Sequence, residues 1–247
     1  MHYKNINLFS ILILKILSKI FIKYSFNHYI VVVLIVINHF IVIQYFYMEG
    51  YFNMLNISKL ISEYNTPQGI VKILDNMDII TLNHSVRVCE ISKIVEKELF
   101  KDKKLSEAGL YHDIGKYFIT ADILNKRGKL NDIERLVINS HSYLSYKTLK
   151  LFNIDDDICL IALFHHTFDP QMFFDEDKNV ISTIDTNIAR LSRAIKTIDI
   201  YEALTTDRPY HRGVRSDTSI QIIKETIPDC DLETLEVIND HVNEFEE

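Results

Sequence analysis

The chain is poor in the residues that make turns. Among its 247 residues there are only six glycines and four prolines, about a third of the roughly 12% that average usage gives for the two together. Sandwiches and barrels need a turn every ten or so residues, and turn chemistry leans on these two types. An all-β fold is therefore disfavoured and long helices are expected. Cysteine is scarce as well: Cys89, Cys159 and Cys230 lie far apart with no CxxC pair, so neither a disulfide framework nor a thiolate zinc site is indicated. Each is expected to pack as a small apolar residue inside a helix. The chain also lacks an excess of basic charge, with a net charge of −7. The deficit lies in the body, because residues 1–50 set Lys4, Lys15, Lys19 and Lys23 against Glu49 alone. A net-acidic body has few groups to neutralise phosphates, which excludes duplex nucleic acid as a general partner.

What is present begins with an apolar leader. Residues 29–47 read YIVVVLIVINHFIVIQYFY, nineteen residues without a formal charge. As a helix they would span about 28 Å, close to a ~30 Å hydrocarbon core, with Tyr29, Tyr45 and Tyr47 placed for an interfacial belt. Residues 6–22 are apolar but carry Lys15 and Lys19, with Lys23 one further four-residue step on. These lysines share one face, as in an interfacial helix or one arm of a hairpin. The segment 1–50 is thus expected to meet a membrane through residues 6–47, with 29–47 as candidate transmembrane helix and the body in the cytoplasm. A start at Met48 or Met54 would instead leave a cytoplasmic protein.

From about Gly50 the pattern is helical throughout. Thr66-Pro67 reads as an N-cap and first helical proline opening a helix through Ile70, Val71 and Leu74. Val88, Ile91, Ile94, Val95 and Leu99 stand at helical spacing in a second helix over His84 to Phe100. A shorter helix is expected from Leu105 to Asp113, with Gly115 as its exit. Asn131 with Glu134 forms a capping-box start for a helix reaching Phe152. Further helices are expected at Ile158 to His166, Thr183 to Thr206, Ser216 to Ile227 and Leu232 to Phe245. The expected organisation is an apolar segment 1–50, a connecting helix in 51–75 and an all-α bundle over 76–247.

Five of the ten histidines stand out by their neighbours: His84, His112, His141, His165 and His166. His112 precedes Asp113 at a helix end, His165 and His166 are adjacent at another, and Asp199 sits mid-helix between two isoleucines. A buried unpaired carboxylate there is costly, and a cation would account for the whole set. Any one of these histidines alone is an ordinary core or surface residue; together they are not. Imidazole and carboxylate without thiolate point to iron, manganese, nickel or zinc. Seven donors exceed what one tetrahedral ion needs but suit two ions sharing a carboxylate, which can hold a bridging hydroxide for a phosphoryl displacement. Lys116 is placed to neutralise charge developing on the phosphoryl group.

The residues His84-Ser85 with Arg87-Val88, HDIGK at 112–116, DILNKRGKL at 122–130, His141, HH at 165–166 and DIYEALTTDRPY at 199–210 resemble the HD superfamily. The likeness spans about residues 76–225. They resemble most its HD-GYP branch, whose characterised members are cyclic di-GMP phosphodiesterases. The resemblance implies an HD-domain helical bundle with His84, His112, Asp113 and Asp199 on one metal. Asp113 would bridge to a second ion held by His141, His165 and His166. It gives Lys116 a catalytic role beside Asp113, and it places Arg208, with His211 and Arg212 beyond it, on substrate phosphate. It implies two divalent ions, iron or manganese ahead of nickel or zinc, and not three, since the position of a third-metal glutamate is Ile80. The partners it implies are a cyclic dinucleotide or another phosphoester, with a homodimer allowed. Several positions depart from the branch. Thr167 follows the paired histidines where the branch has Glu, no Gly-Tyr-Pro occurs, Ser142 and Ser145 replace Pro and Gly, and Glu202 stands for the second Asp of DxxDAL. These departures leave two further readings: an HD phosphohydrolase of another phosphoester, or a catalytically silent binding module.

Overall fold

The computed structural model describes residues 57–101, 104–126, 128–166, 186–207 and 212–242. The segment 1–50, with the candidate transmembrane helix 29–47, lies outside the described residues, and among those described no helix is long and apolar enough to cross a membrane. Residues Leu55–Glu247 form one compact unit, and the described part of it is helical with no strand.

After a helical stretch at 57–63 come α1 (Gln68–Leu74), α2 (Ile79–Leu99), α3 (Lys104–Tyr111), a 3-10 turn (Ile114–Phe118), α4 (Ala121–Leu124), α5 (Asp132–Asn139), α6 (His141–Leu151), α7 (Asp156–Phe164), α8 (Thr186–Thr205), α9 (Ser216–Thr226) and α10 (Leu232–Asp240). Thr66 does not cap α1. That helix starts one residue later, with Pro67 at its N-cap, and the Thr66 hydroxyl lies 2.6 Å from the Tyr111 hydroxyl instead. Helix α2 opens at Asp78, whose carboxylate accepts from the Ile80 and Thr81 N–H groups. That start satisfies donors a helix leaves unpaired. Helix α2 buries Val88, Ile91 and Val95 at helical spacing, and α8 buries Leu191, Ala194, Ile195, Ile198 and Tyr201. These two stripes meet α3 and α7 in one apolar core.

Two glycines set how closely the elements approach. A Cβ on Gly109 would lie 2.9 Å from Ser92 Oγ and 3.2 Å from Cys89 Cα, so α3 lies against α2 on a residue without a side chain. Gly115 was expected at a helix exit, yet it has no positive φ. It stands inside the 3-10 turn, where a Cβ would meet the His141 carbonyl oxygen at 2.1 Å and the Ser145 nitrogen at 2.5 Å. The need there is close packing and not left-handed backbone. Ser145 accepts the Gly115 N–H at 2.9 Å, tying the turn to α6.

The helix expected from Asn131 to Phe152 is broken in two. Its capping box forms as the sequence implies. At the break, however, Ser140 Oγ donates to the Val137 carbonyl at 2.7 Å and His141 Nδ1 to the Ile138 carbonyl at 2.6 Å. Side chains thus occupy two acceptors that a continuous helix would use. Cys89 and Cys159 are buried in helices and all three cysteines are free. Cys230 differs from expectation, lying half-buried in the turn between α9 and α10.

Candidate metal centre

An α-helix leaves its last four carbonyls without an intrahelical partner, and this chain places imidazoles there three times. His112, just past α3, donates Nδ1–H to the Gly109 carbonyl at 2.8 Å. His141, just past α5, uses Ile138 at 2.6 Å. His165, just past α7, uses Ala162 at 2.7 Å. Each bond settles the proton on Nδ1 and leaves the Nε2 lone pair free to point elsewhere. All three enter one cluster, His112 in one half of it and His141 and His165 in the other. The His112 and His165 rings are 5.0 Å apart, His141 and His165 5.3 Å, and His84 and His112 5.3 Å. His166 joins them, 4.0 Å from the ring of His165 and 4.9 Å from that of His141.

Two carboxylates complete the set. Asp113 is fully buried in the turn after α3. Its Oδ1 lies 3.2 Å from His141 Nε2, and its Oδ2 lies 3.4 Å from His112 Nε2 and 3.5 Å from His84 Nε2. It therefore stands between the two halves of the cluster. Asp199 comes from α8, with Oδ1 2.9 Å from His84 Nε2 and 4.0 Å from His112 Nε2. Lys116, one 3-10 turn beyond, reaches back to Asp113 Oδ2.

The electrostatics follow from burial and these neighbours. Burial alone would raise Asp113, but the Lys116 ammonium and the His112 and His141 rings hold its carboxyl well below the usual range. Asp199 is likewise depressed by His84 in spite of its burial. Burial opposes the charged form of His84, yet Asp199 and Glu202 on either side of its ring push it up to about 9. Burial, joined by the surrounding imidazoles, holds His165 well below its ordinary value, and burial brings His166 down to about 4.

This donor set fits divalent cations. His141, His165 and His166 can each offer one atom within 4.8 Å of the others, and so can His84, His112 and Asp113. Two polar atoms in the middle, His112 Nε2 and Asp113 Oδ1, are buried without a hydrogen-bond partner, a costly state for groups of this kind. His141 Nε2 and His165 Nε2 face each other at 3.3 Å, although neither carries the proton there. Lone pairs gathered in such groups are what nitrogen and oxygen ligands about 2.0–2.2 Å from an ion present.

The sequence-derived donors His84, His112, Asp113, His141, His165, His166 and Asp199 are thus brought together, with Lys116 at their edge. Arg212 is exposed on the stretch leading into α9, while Arg208 and His211 lie outside the described residues. Beside His84 and Lys116 opens a recess of about 150 Å³, lined also by Asp78, Ile80, Thr81, Leu124, Asn125 and Ile138. One residue of the site escaped sequence reasoning. Glu202, noted only as a departure from a motif, is buried against His84 Nδ1 and Arg87 Nε. Its signal was its place three residues after Asp199, on the same helical face.

The chain is similar to several known proteins. Residues 81–204 match the HD domain family. The chain is 30% identical over 162 residues to the 3'3'-cGAMP-specific phosphodiesterase 1 of Vibrio cholerae, covering 64% of this chain and 36% of that protein. It is 31% identical over 160 residues to a cyclic di-GMP phosphodiesterase of Pseudomonas aeruginosa, covering 62% of this chain and 37% of that one. The chain thus spans little more than a third of the length of these relatives. The crystal structure of the L. monocytogenes phosphodiesterase PgpH HD domain shares the fold, with a TM-score of 0.52 and 18% identity, covering 73% of this chain and all of that one. With about half of the sequence inside the matched span, the chain belongs to the HD domain family.

Proposed function

We propose that the protein is a divalent-metal-dependent phosphodiesterase acting on a cyclic dinucleotide, cyclic di-GMP or a related one. The observation that carries the reading is the pair of unsatisfied buried atoms, His112 Nε2 and Asp113 Oδ1, at the centre of a cluster of five imidazoles and two carboxylates. His84, His112, Asp113 and Asp199 would hold one ion and His141, His165 and His166 another, with Asp113 reaching both. Ions at these positions would supply Lewis-acid polarisation of the phosphoryl oxygens and make water acidic enough to attack at neutral pH. The remaining work falls to the chain. Lys116 balances the charge of Asp113 and lines the recess beside His84, where a cation stabilises negative charge growing on a transferring phosphoryl group. Ile80 and Leu124 give the recess apolar wall, and Asp78, Thr81 and Asn125 give it polar edges. The names of the relatives at 30% and 31% identity support a cyclic dinucleotide as substrate class.

The missing Gly-Tyr-Pro segment, with Thr167 after the paired histidines, favours a second reading: the same machinery acting on a different phosphoester. Manganese-loaded full-length protein assayed against cyclic di-GMP, 3'3'-cGAMP, cyclic di-AMP and linear nucleotide esters separates the two. Turnover confined to cyclic dinucleotides supports the first, and turnover of linear esters alone supports the second. No turnover of any phosphoester with metal bound would overturn both.

A further inference from the structure

A carboxylate holds the far side of the His84 ring from the cluster. Glu202 Oε2 pairs with His84 Nδ1, while Oε1 takes Arg87 Nε–H and, at 2.8 Å, the Thr206 hydroxyl. Glu202 is 1% exposed. It stands one helical turn after Asp199, which lies 2.9 Å from His84 Nε2, so a single face of α8 holds the imidazole at both nitrogens. His84 differs here from His112, His141 and His165. It lies in the middle of α2, where backbone carbonyls are already used by the helix, so its Nδ1 needs a side-chain acceptor.

We infer that Glu202, oriented by Arg87, is a positioning residue that fixes the proton of His84 on Nδ1 and so keeps Nε2 open as a metal donor. The inference rests on the reading of the cluster as a metal centre. Its logic is an acceptor count. Arg87 Nε and His84 Nδ1–H are both donors, and a guanidinium has no acceptor to offer. Only a carboxylate offers each an oxygen. A glutamine has one oxygen and one NH2. With Arg87 claiming the oxygen, the NH2 faces His84, whose Nδ1 must then accept and whose proton moves to Nε2, blocking the metal lone pair. Replacing Arg87 as well releases the amide to turn, its oxygen toward His84.

The test is calorimetric titration of Mn2+ into metal-free full-length protein, for wild type, Glu202→Gln, Arg87→Met and the double variant, with circular dichroism as the check on folding. Glu202→Gln is expected to weaken at least one bound ion by about 10–100-fold, the range for partners that orient metal-ligating histidines. Arg87→Met is expected to stay within a few-fold of wild type, and the double variant to regain most of the loss. Unchanged affinity in Glu202→Gln, or a double variant as weak as that single, would overturn the inference while leaving the metal centre standing. Should Glu202→Gln fail to fold, the double variant decides alone: near-wild-type affinity supports the inference and lost affinity overturns it. A wild-type chain that binds no Mn2+ would sink the underlying reading as well.

Discussion

Asp113 touches both halves of the cluster, with one oxygen near His141 and the other near His84 and His112. Asp113→Ala is therefore expected to cut bound metal to half or less of wild type and to abolish hydrolysis, read by elemental analysis beside the assay. Retention of full metal content would contradict its shared position. Lys116 is bonded to Asp113 but offers no lone pair to an ion while charged. Lys116→Met should then keep the metal and lose about 10²–10³-fold in kcat, the usual scale for one charge-stabilising donor; equal loss of metal and activity would make it structural. A third residue stands on α3, outside the set of donors. Burial, with Asp155 and Glu96 nearby, pushes Glu107 up to about 7 from 4.5. The folded state thus keeps a proton that the unfolded chain has released, so the contribution of this group is fully present below pH 4.5 and is lost as pH rises through about 7. Glu107→Gln removes that loss. Its Tm is expected near wild type at pH 5 and higher than wild type at pH 8, by thermal unfolding followed in circular dichroism. Parallel curves would show the carboxyl to be ordinary.

Elements carry the histidines to the cluster, and most elements were legible from spacing. The stripe Val88, Ile91, Val95 reads directly as a helix face, and Asn131 with Glu134 announces a cap that the structure holds. The donors were visible because His112-Asp113 and His165-His166 fall at helix ends, where side chains replace missing backbone partners. What could not be read is three-dimensional. Ser140 and His141 end α5 by taking carbonyls that period-3.6 counting assigns to the helix. Gly115 looked like a C-cap because only the packed structure shows the α6 backbone pressed against it. Glu202 was invisible as a partner because 118 residues separate it from His84. Gly115→Ala tests the packing claim. The new methyl would meet backbone, which cannot turn aside, so a cost of about 2–3 kcal/mol is expected. For a unit of this size that is a Tm lower by roughly 5–10 °C. A variant as stable as wild type would mean that the 3-10 turn is free to move off α6.

At the scale of the whole molecule, helices distant in sequence bring one cluster of donors together, so the metal and the fold stabilise each other. Residues from α2, the α3 turn, α6, the end of α7 and α8 converge there, and an ion bound only by the folded chain adds stability in proportion to its concentration over its Kd. Saturation at one hundred times Kd is worth about 2.7 kcal/mol, a rise in Tm of roughly 5–10 °C over chelated protein. The measurement that bears most directly on the whole account is elemental analysis of full-length protein purified from cells supplied with iron and manganese. The account predicts a divalent transition metal bound stoichiometrically, at two ions per chain, reduced to half or less on Asp113→Ala. Wild-type protein that is folded and carries no metal, even after dialysis against manganese, would contradict it.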